Sequence, residues 1–162
     1  MYLLDANIFI TAKNDAYGLD FCPAFWDWLL QSHSRELLGS IDAVKNELLD
    51  RQDELTRWAR EAPADFFQQP TSSVLEVLKQ ITNHIEAKDS PRAEKTRFFS
   101  KADPFLIAHA KAGNHVVVTH EKAVPADSQK IKIPNVCSAF GVECRSIYDV
   151  IRASNARFVL EP

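Results

Sequence analysis

No stretch of this chain approaches the roughly 18 consecutive apolar residues that span a bilayer, and its first residues lack the basic region and apolar run of a signal peptide. The expectation is a cytoplasmic protein that makes no use of a membrane. Cysteine is scarce and odd in number: Cys22, Cys137 and Cys144 stand at spacings unlike any paired-thiolate zinc motif. Reduced, mostly buried thiols are therefore predicted. With four glycines in 162 residues there is no Gly- and Ser-rich linker, nor does any repeat or low-complexity tract divide the chain. One domain over residues 1–162 is expected. Positive charge is not in excess either, since 19 Lys and Arg face 22 Asp and Glu for a net charge of −3. That balance excludes a surface that is basic all round, so an anionic substrate has to be bound locally, by a patch or through a metal.

What is present is the composition of an ordinary globular protein, 46% hydrophobic and 25% charged. A chain of about 150 residues buries roughly 70% of its unfolded surface and needs no disulfide or structural metal to hold it together. Short apolar runs read as buried strands: "YLLDA" at the start, "ELLGSI" at 36–41, "HVVVTH" at 115–120 and "VECRSI" at 142–147. Between them lie the helical stretches "PAFWDWLLQS", "DAVKNELLDR", "DELTRWAREA", "TSSVLEVLKQITNHIEAK", "SPRAEKTRFFS" and "DPFLIAHAKAG". In the fourth, Val74, Val77, Leu78, Ile81 and Ile85 recur at helical spacing. Strands separated by helices need crossover connections and pair in parallel, which predicts an α/β fold with a central parallel sheet and helices on both faces.

In such a sheet ligands bind outside the carboxyl ends of the strands, and Asp5 stands at the carboxyl end of the first one. The plain alternative is that Asp5 only starts the following turn. Asp103, before Pro104 and an apolar helix that runs to Gly113, reads equally well as an N-cap, followed by a proline at the first helical position and a closing glycine. A capping carboxylate still has a free oxygen to offer. "VVVTHE" carries another strand to Thr119, His120 and Glu121, so a second acid leaves the same edge. Glu47 lies on a helix beside the apolar stripe of Val44 and Leu48. Most glutamates so placed are simply solvated, and Glu47 is singled out by the combination alone.

Asp5 with Asn7, Glu47, Asp103 followed by "LIAHA", and Thr119 with Glu121 resemble, in that order, the motifs of PIN-domain metal-dependent ribonucleases. "VVVTHEK", "IKIPNVC" and "GVECRSIYDVI" are similar to the final strands and helices of PIN-like proteins, so the resemblance covers nearly the whole chain. Glu121 departs from the commoner Asp of that pattern, with Asp127 the alternative acid. The resemblance implies a three-layer α/β/α fold and a Mg²⁺- or Mn²⁺-dependent endoribonuclease. It also implies the toxin of a bacterial type II toxin–antitoxin pair, with an antitoxin protein as partner and a homodimer as a common assembly. Asp5 and Asp103 are then the principal metal ligands, Glu47 orients metal-bound water or reaches an ion, and Glu121 completes a second position. Asn7 and Thr119, uncharged, hydrogen-bond ligands or water and hold the loop.

The chemistry agrees with that assignment. Crowded carboxylates raise one another's pKa, and a hard divalent cation relieves the repulsion through an all-oxygen shell shared with water and phosphate. Imidazole is not needed there, so His109 and His120 are bystanders on this reading. Arg92, Lys95, Arg97 and Lys101, ahead of Asp103, are the cations expected to hold RNA phosphates. Phe98, Phe99, Trp26, Trp28 and Trp58 are assigned to the core or an interface. Two other functions compete: a non-catalytic PIN-fold module that binds a protein through the acidic cleft, and a haloacid-dehalogenase-like phosphotransferase. The latter wants a second acid two residues after the first, where this chain has Asn7.

Overall fold

The computed structural model describes residues 1–159. Five strands, β1 (Tyr2–Leu4), β2 (Leu38–Ile41), β3 (Phe67–Gln68), β4 (Val116–Val118) and β5 (Cys144–Arg145), form one sheet in the order β3-β2-β1-β4-β5. Every adjacent pair is parallel, as the crossover argument requires. The first crossover holds α1 (Ala6–Thr11), which runs into a π-helical turn at Ala12–Ala16, and α2 (Pro23–Ser34). The second holds α3 (Asp42–Leu49) and α4 (Glu54–Glu61), and the third α5 (Ser72–Ala87), α6 (Arg92–Phe99) and α7 (Asp103–Gly113). The helix α8 (Ile133–Ala139) joins β4 to β5, and α9 (Ile147–Ala153) follows. The result is a three-layer α/β/α fold.

From β1 the chain winds outward through β2 to β3, then crosses back to lay β4 on the other side of β1 and continues to β5. The direction of winding reverses between β1 and β4. In open parallel sheets, ligands bind outside the carboxyl ends of the strands at such a reversal. The strands are short and their centres internal: Leu3, Leu4, Leu38, Ile41, Val117 and Val118 have no exposed surface. Buried Ser40 donates from its hydroxyl to the Leu4 carbonyl at 2.7 Å, fixing β2 against the last residue of β1. On one face α5 packs against α7 through Val74, Ile81 and Ile85, while Val77 and Leu78 are half-buried at the margin of the stripe. Phe9, Trp58, Phe66 and Phe67 make an aromatic cluster that Trp26 joins with its ring 5.0 Å from that of Trp58. Phe98 is fully buried as well.

Three local features differ from the expectation. A two-residue strand, β3, follows Phe66, where the sequence offers no alternation to read. The turn expected after Asp5 is a helix that begins at the next residue. At the end of α7, Gly113 is the last helical residue, and Asn114 takes the left-handed cap at φ 51°. Asparagine tolerates that region because its short polar side chain bonds locally. Gly113 has a different reason to be glycine, since a Cβ there would collide with the His115 ring.

Candidate metal centre

Asp5 is the residue at which β1 gives way to α1, its backbone still extended at φ −74° and ψ 154°. It occupies the N-cap position but makes no capping bond through its side chain. Instead the Thr119 hydroxyl, at the end of β4, donates to Asp5 Oδ2 at 2.8 Å. Thr119 Oγ1 also accepts from Asn7 Nδ2 at 3.0 Å and from the Glu121 backbone N–H at 3.1 Å. Both of those groups are donors, so the single hydroxyl proton belongs to the bond with Asp5. Asn7 is oriented in turn because its Oδ1 accepts from the His120 N–H at 3.1 Å. Two loops from the two sides of the topological reversal are thereby locked together through a buried carboxylate.

That lock predicts the effect of Thr119→Val, which keeps the shape and removes the hydroxyl. The amide of Asn7, the Glu121 N–H and the Asp5 carboxylate each lose a partner, so urea unfolding is expected to show a loss of roughly 1–3 kcal/mol. Thr119→Ser, which restores the oxygen, should recover most of it.

Asp103 opens α7, followed by Pro104 in the first turn. The expected N-cap role does not hold: Ala102 is the cap residue, and no side chain caps the helix. Asp103 is therefore not consumed by helix chemistry, and no hydrogen bond within the described residues engages its carboxylate although it is only 6% exposed. Its place is set from α3. Val44 and Leu48 seat that helix in the core, and Glu47 beside them accepts from the Ala102 N–H at 2.5 Å, pinning the residue before Asp103. Glu121 is tied down as well, by Lys132 Nζ at 2.8 Å to one oxygen and the Ile133 N–H at 2.8 Å to the other. The length of the glutamate side chain is what spans to the start of α8. Asp127, the alternative acid, is exposed in the same loop and is not among the charges that act on Asp5 or Asp103.

The electrostatics follow from burial and crowding. Burial raises the Asp5 carboxyl to about 6, with the Thr119 bond opposing and the charges of Glu121 and Glu47 adding to the rise. Burial likewise raises Asp103 to about 7, with Asp5, Glu121 and Glu47 pushing it up and Lys101 pulling it down. All four acids therefore act on one locus. Among the described residues no three His, Cys, Asp or Glu side chains stand at coordinating distance of a common point. Magnesium does not require such a cage, since it is commonly held by one or two carboxylates, with water and substrate phosphate completing the octahedron. The donor set fits that ion class: two buried carboxyls, Asp5 and Asp103, offer hard oxygens.

Residues 2–158 match the family described as Domain of unknown function (DUF4411). The chain belongs to that family. The match includes all five strands of the DUF4411 fold described above and every acid of the site. No curated protein and no solved structure matches the chain.

The cations of the DUF4411 chain are distributed differently from the sequence reading. Lys95 is buried at 9% exposure with its ammonium on the Glu86 carbonyl at 2.6 Å. It joins α6 to the end of α5 and has no surface to offer a phosphate. Arg97 braces the loop beside the site by donating to Glu94 and to the Ile131 carbonyl at 2.9 Å. Arg92 forms an exposed pair with Glu86, away from the site network, and Lys101 is exposed where its charge reaches Asp103. Lys132, paired with Glu121, belongs to the site's surroundings and was not legible, because the two are brought together only by the fold. His109 is buried in α7 and lowered by burial to about 4, a neutral packing residue.

Proposed function

We propose that this chain is a divalent-metal-dependent ribonuclease in which Asp5 and Asp103 hold Mg²⁺ or Mn²⁺, with Glu47 and Glu121 shaping the acidic edge. The observation that carries the reading is the carboxyl pair itself. Two buried acids far apart in sequence, one at the end of β1 beside the reversal point of the parallel sheet, feel one another's charge, and burial and neighbouring acids hold them at about 6 and about 7. Burying carboxyls costs free energy unless a counter-charge arrives. A bound ion of this class supplies an activated water and polarises the scissile phosphate. The protein's own part is positional: Thr119 and Asn7 orient Asp5, while Glu47 fixes the backbone that presents Asp103. No side chain has to act as nucleophile. The amide of Asn7 also stands where a phosphotransferase of the haloacid-dehalogenase type carries an acid, and its amide is spent on Thr119 and His120.

RNA as substrate, and a role as the toxin of a type II pair restrained by an antitoxin, rest on the resemblance to PIN-domain ribonucleases. The test uses end-labelled RNA carrying single-stranded and loop segments. Cleavage is expected to require magnesium or manganese, to stop with chelator and to spare duplex DNA. The Asp5→Asn, Asp103→Asn double variant, purified alongside, serves as the control. Equal cleavage by the two proteins assigns the activity to a contaminant or to another site, and no cleavage by either removes the proposal.

A further inference from the structure

Beside the acidic edge, at the carboxyl ends of β4 and β5, a cleft of about 560 Å³ opens to solvent. Thr119 and Glu121 belong to its wall, so it is continuous with the site. His120, Lys122, Arg145 and Tyr148 complete the part that matters here. Its size falls within the range of small-molecule pockets, roughly 300–1,000 Å³. Tyr148 is 46% exposed, and the other comparably exposed large aromatic, Phe21, does not line the cleft. Its outward direction is set locally. The Ser146–Asp149 capping box fixes the first turn of α9, and burial of Ile147 and Val150 turns the intervening Tyr148 outward. The His120 ring stands 6.3 Å from that of Tyr148 at 54°, making an aromatic corner. Lys122 is exposed on the rim, and the half-exposed Arg145 is ion-paired with Glu143 through its Nε and Nη2, while the Asp149 carboxylate is engaged by Ser146 and Arg152.

We infer that this cleft seats one unpaired nucleobase of the RNA next to the phosphate that meets the acidic edge, with the base on Tyr148 and His120 and its backbone along Lys122 and Arg145. An aromatic face accepts any base by stacking, and a splayed-out base in single-stranded RNA is free to use it. The adjacent cations give the matching charge for the backbone. The inference rests on the ribonuclease reading and refines it. A substrate must be unpaired at that position, and base identity matters less than the presence of a base.

The experiment measures cleavage and binding on the whole protein. Tyr148→Ala is expected to raise KM for a short single-stranded RNA about tenfold, the scale of one base–aromatic stack, with kcat nearly unchanged. Tyr148→Phe should stay near the wild type. An abasic nucleotide scanned through the oligonucleotide should weaken wild-type binding at one position by a similar factor, and should add little in Tyr148→Ala. Fluorescence anisotropy with the same RNA reads affinity without chemistry. Unchanged affinity in a folded Tyr148→Ala overturns the seat, whatever else that variant loses, and leaves metal-dependent cleavage standing. Affinity that follows Tyr148 without any cleavage keeps the seat and overturns the nuclease. A wild type that neither binds nor cleaves overturns both.

Discussion

Replacing Asp103 by asparagine is expected to lower RNA cleavage by about a thousandfold or more and, in the same protein without divalent metal, to raise stability at pH 8. The first effect follows from losing a ligand charge at unchanged side-chain volume, since several kcal/mol of transition-state stabilisation depend on the ion. The second follows from the burial that makes Asp103 useful. Its folded-state pKa of about 7 lies above the ordinary value of 3.8. At pH 8 the group is ionised in both states, and the folded state bears the cost of keeping that charge out of water. An asparagine carries no charge to desolvate, so a gain of about 2–3 kcal/mol is expected in urea unfolding, allowing for the amide's own unmet hydrogen bonds. At pH 4 the wild-type carboxyl is largely protonated in the folded state, and the gain should shrink toward zero. Opposite signs for activity and stability mark a residue kept for chemistry at the expense of the fold. A variant that is fully active, or whose gain in stability over the wild type is no larger at pH 8 than at pH 4, would remove Asp103 from the site.

The same residues show how far the sequence could be read. β1, β2, β4 and β5 were legible because buried parallel strands are short apolar runs, and α2 to α7 as longer helical stretches, of which α5 repeats its apolar spacing; α1, directly after Asp5, was not. β3 was not, since two residues carry no period. Asp5 and Asp103 stood out because strand ends and helix starts are visible in one dimension. What each carboxylate does there was less visible. Asp103 sits one residue inside its helix, free of the capping role, and a one-residue shift of that kind lies below the resolution of pattern reading. Lys95 looked like its neighbours in a basic run, and only the docking of α6 on the end of α5 turns it inward to the Glu86 carbonyl. Glu121 posed the same problem from the other side. Its substitution for the commoner Asp was visible, while the reason, a reach to Lys132 and the Ile133 N–H, required the fold that brings α8 beside β4.

Magnesium is expected to raise the melting temperature far more at pH 8 than at pH 5.5, and not at all in Asp103→Asn. Asp5 and Asp103, at about 6 and about 7, both hold protons in the folded protein at pH 5.5. A cation has to displace them, which weakens its apparent affinity as pH falls. At pH 8 both are carboxylates, and a hundredfold excess of metal over Kd contributes about 2.7 kcal/mol. For a chain of this size that corresponds to roughly 5–10 °C. The metal-free protein alone is a poorer reporter, because its slopes oppose. A raised carboxyl binds more protons folded than unfolded between about 4 and about 7, so it makes stability fall as pH rises through that window. His109, lowered to about 4, binds fewer protons folded than unfolded up to its ordinary 6.5, and so makes stability rise over nearly the same range. The two trends partly cancel below 6.5, whereas the difference between scans with and without metal isolates the acids. Calorimetry at pH 6.5 in two buffers of different ionisation enthalpy should then detect protons released as the ion binds, and none in Asp103→Asn. A melting shift of equal size at both pH values, or one that persists in Asp103→Asn, would place the ion somewhere other than between β1 and α7.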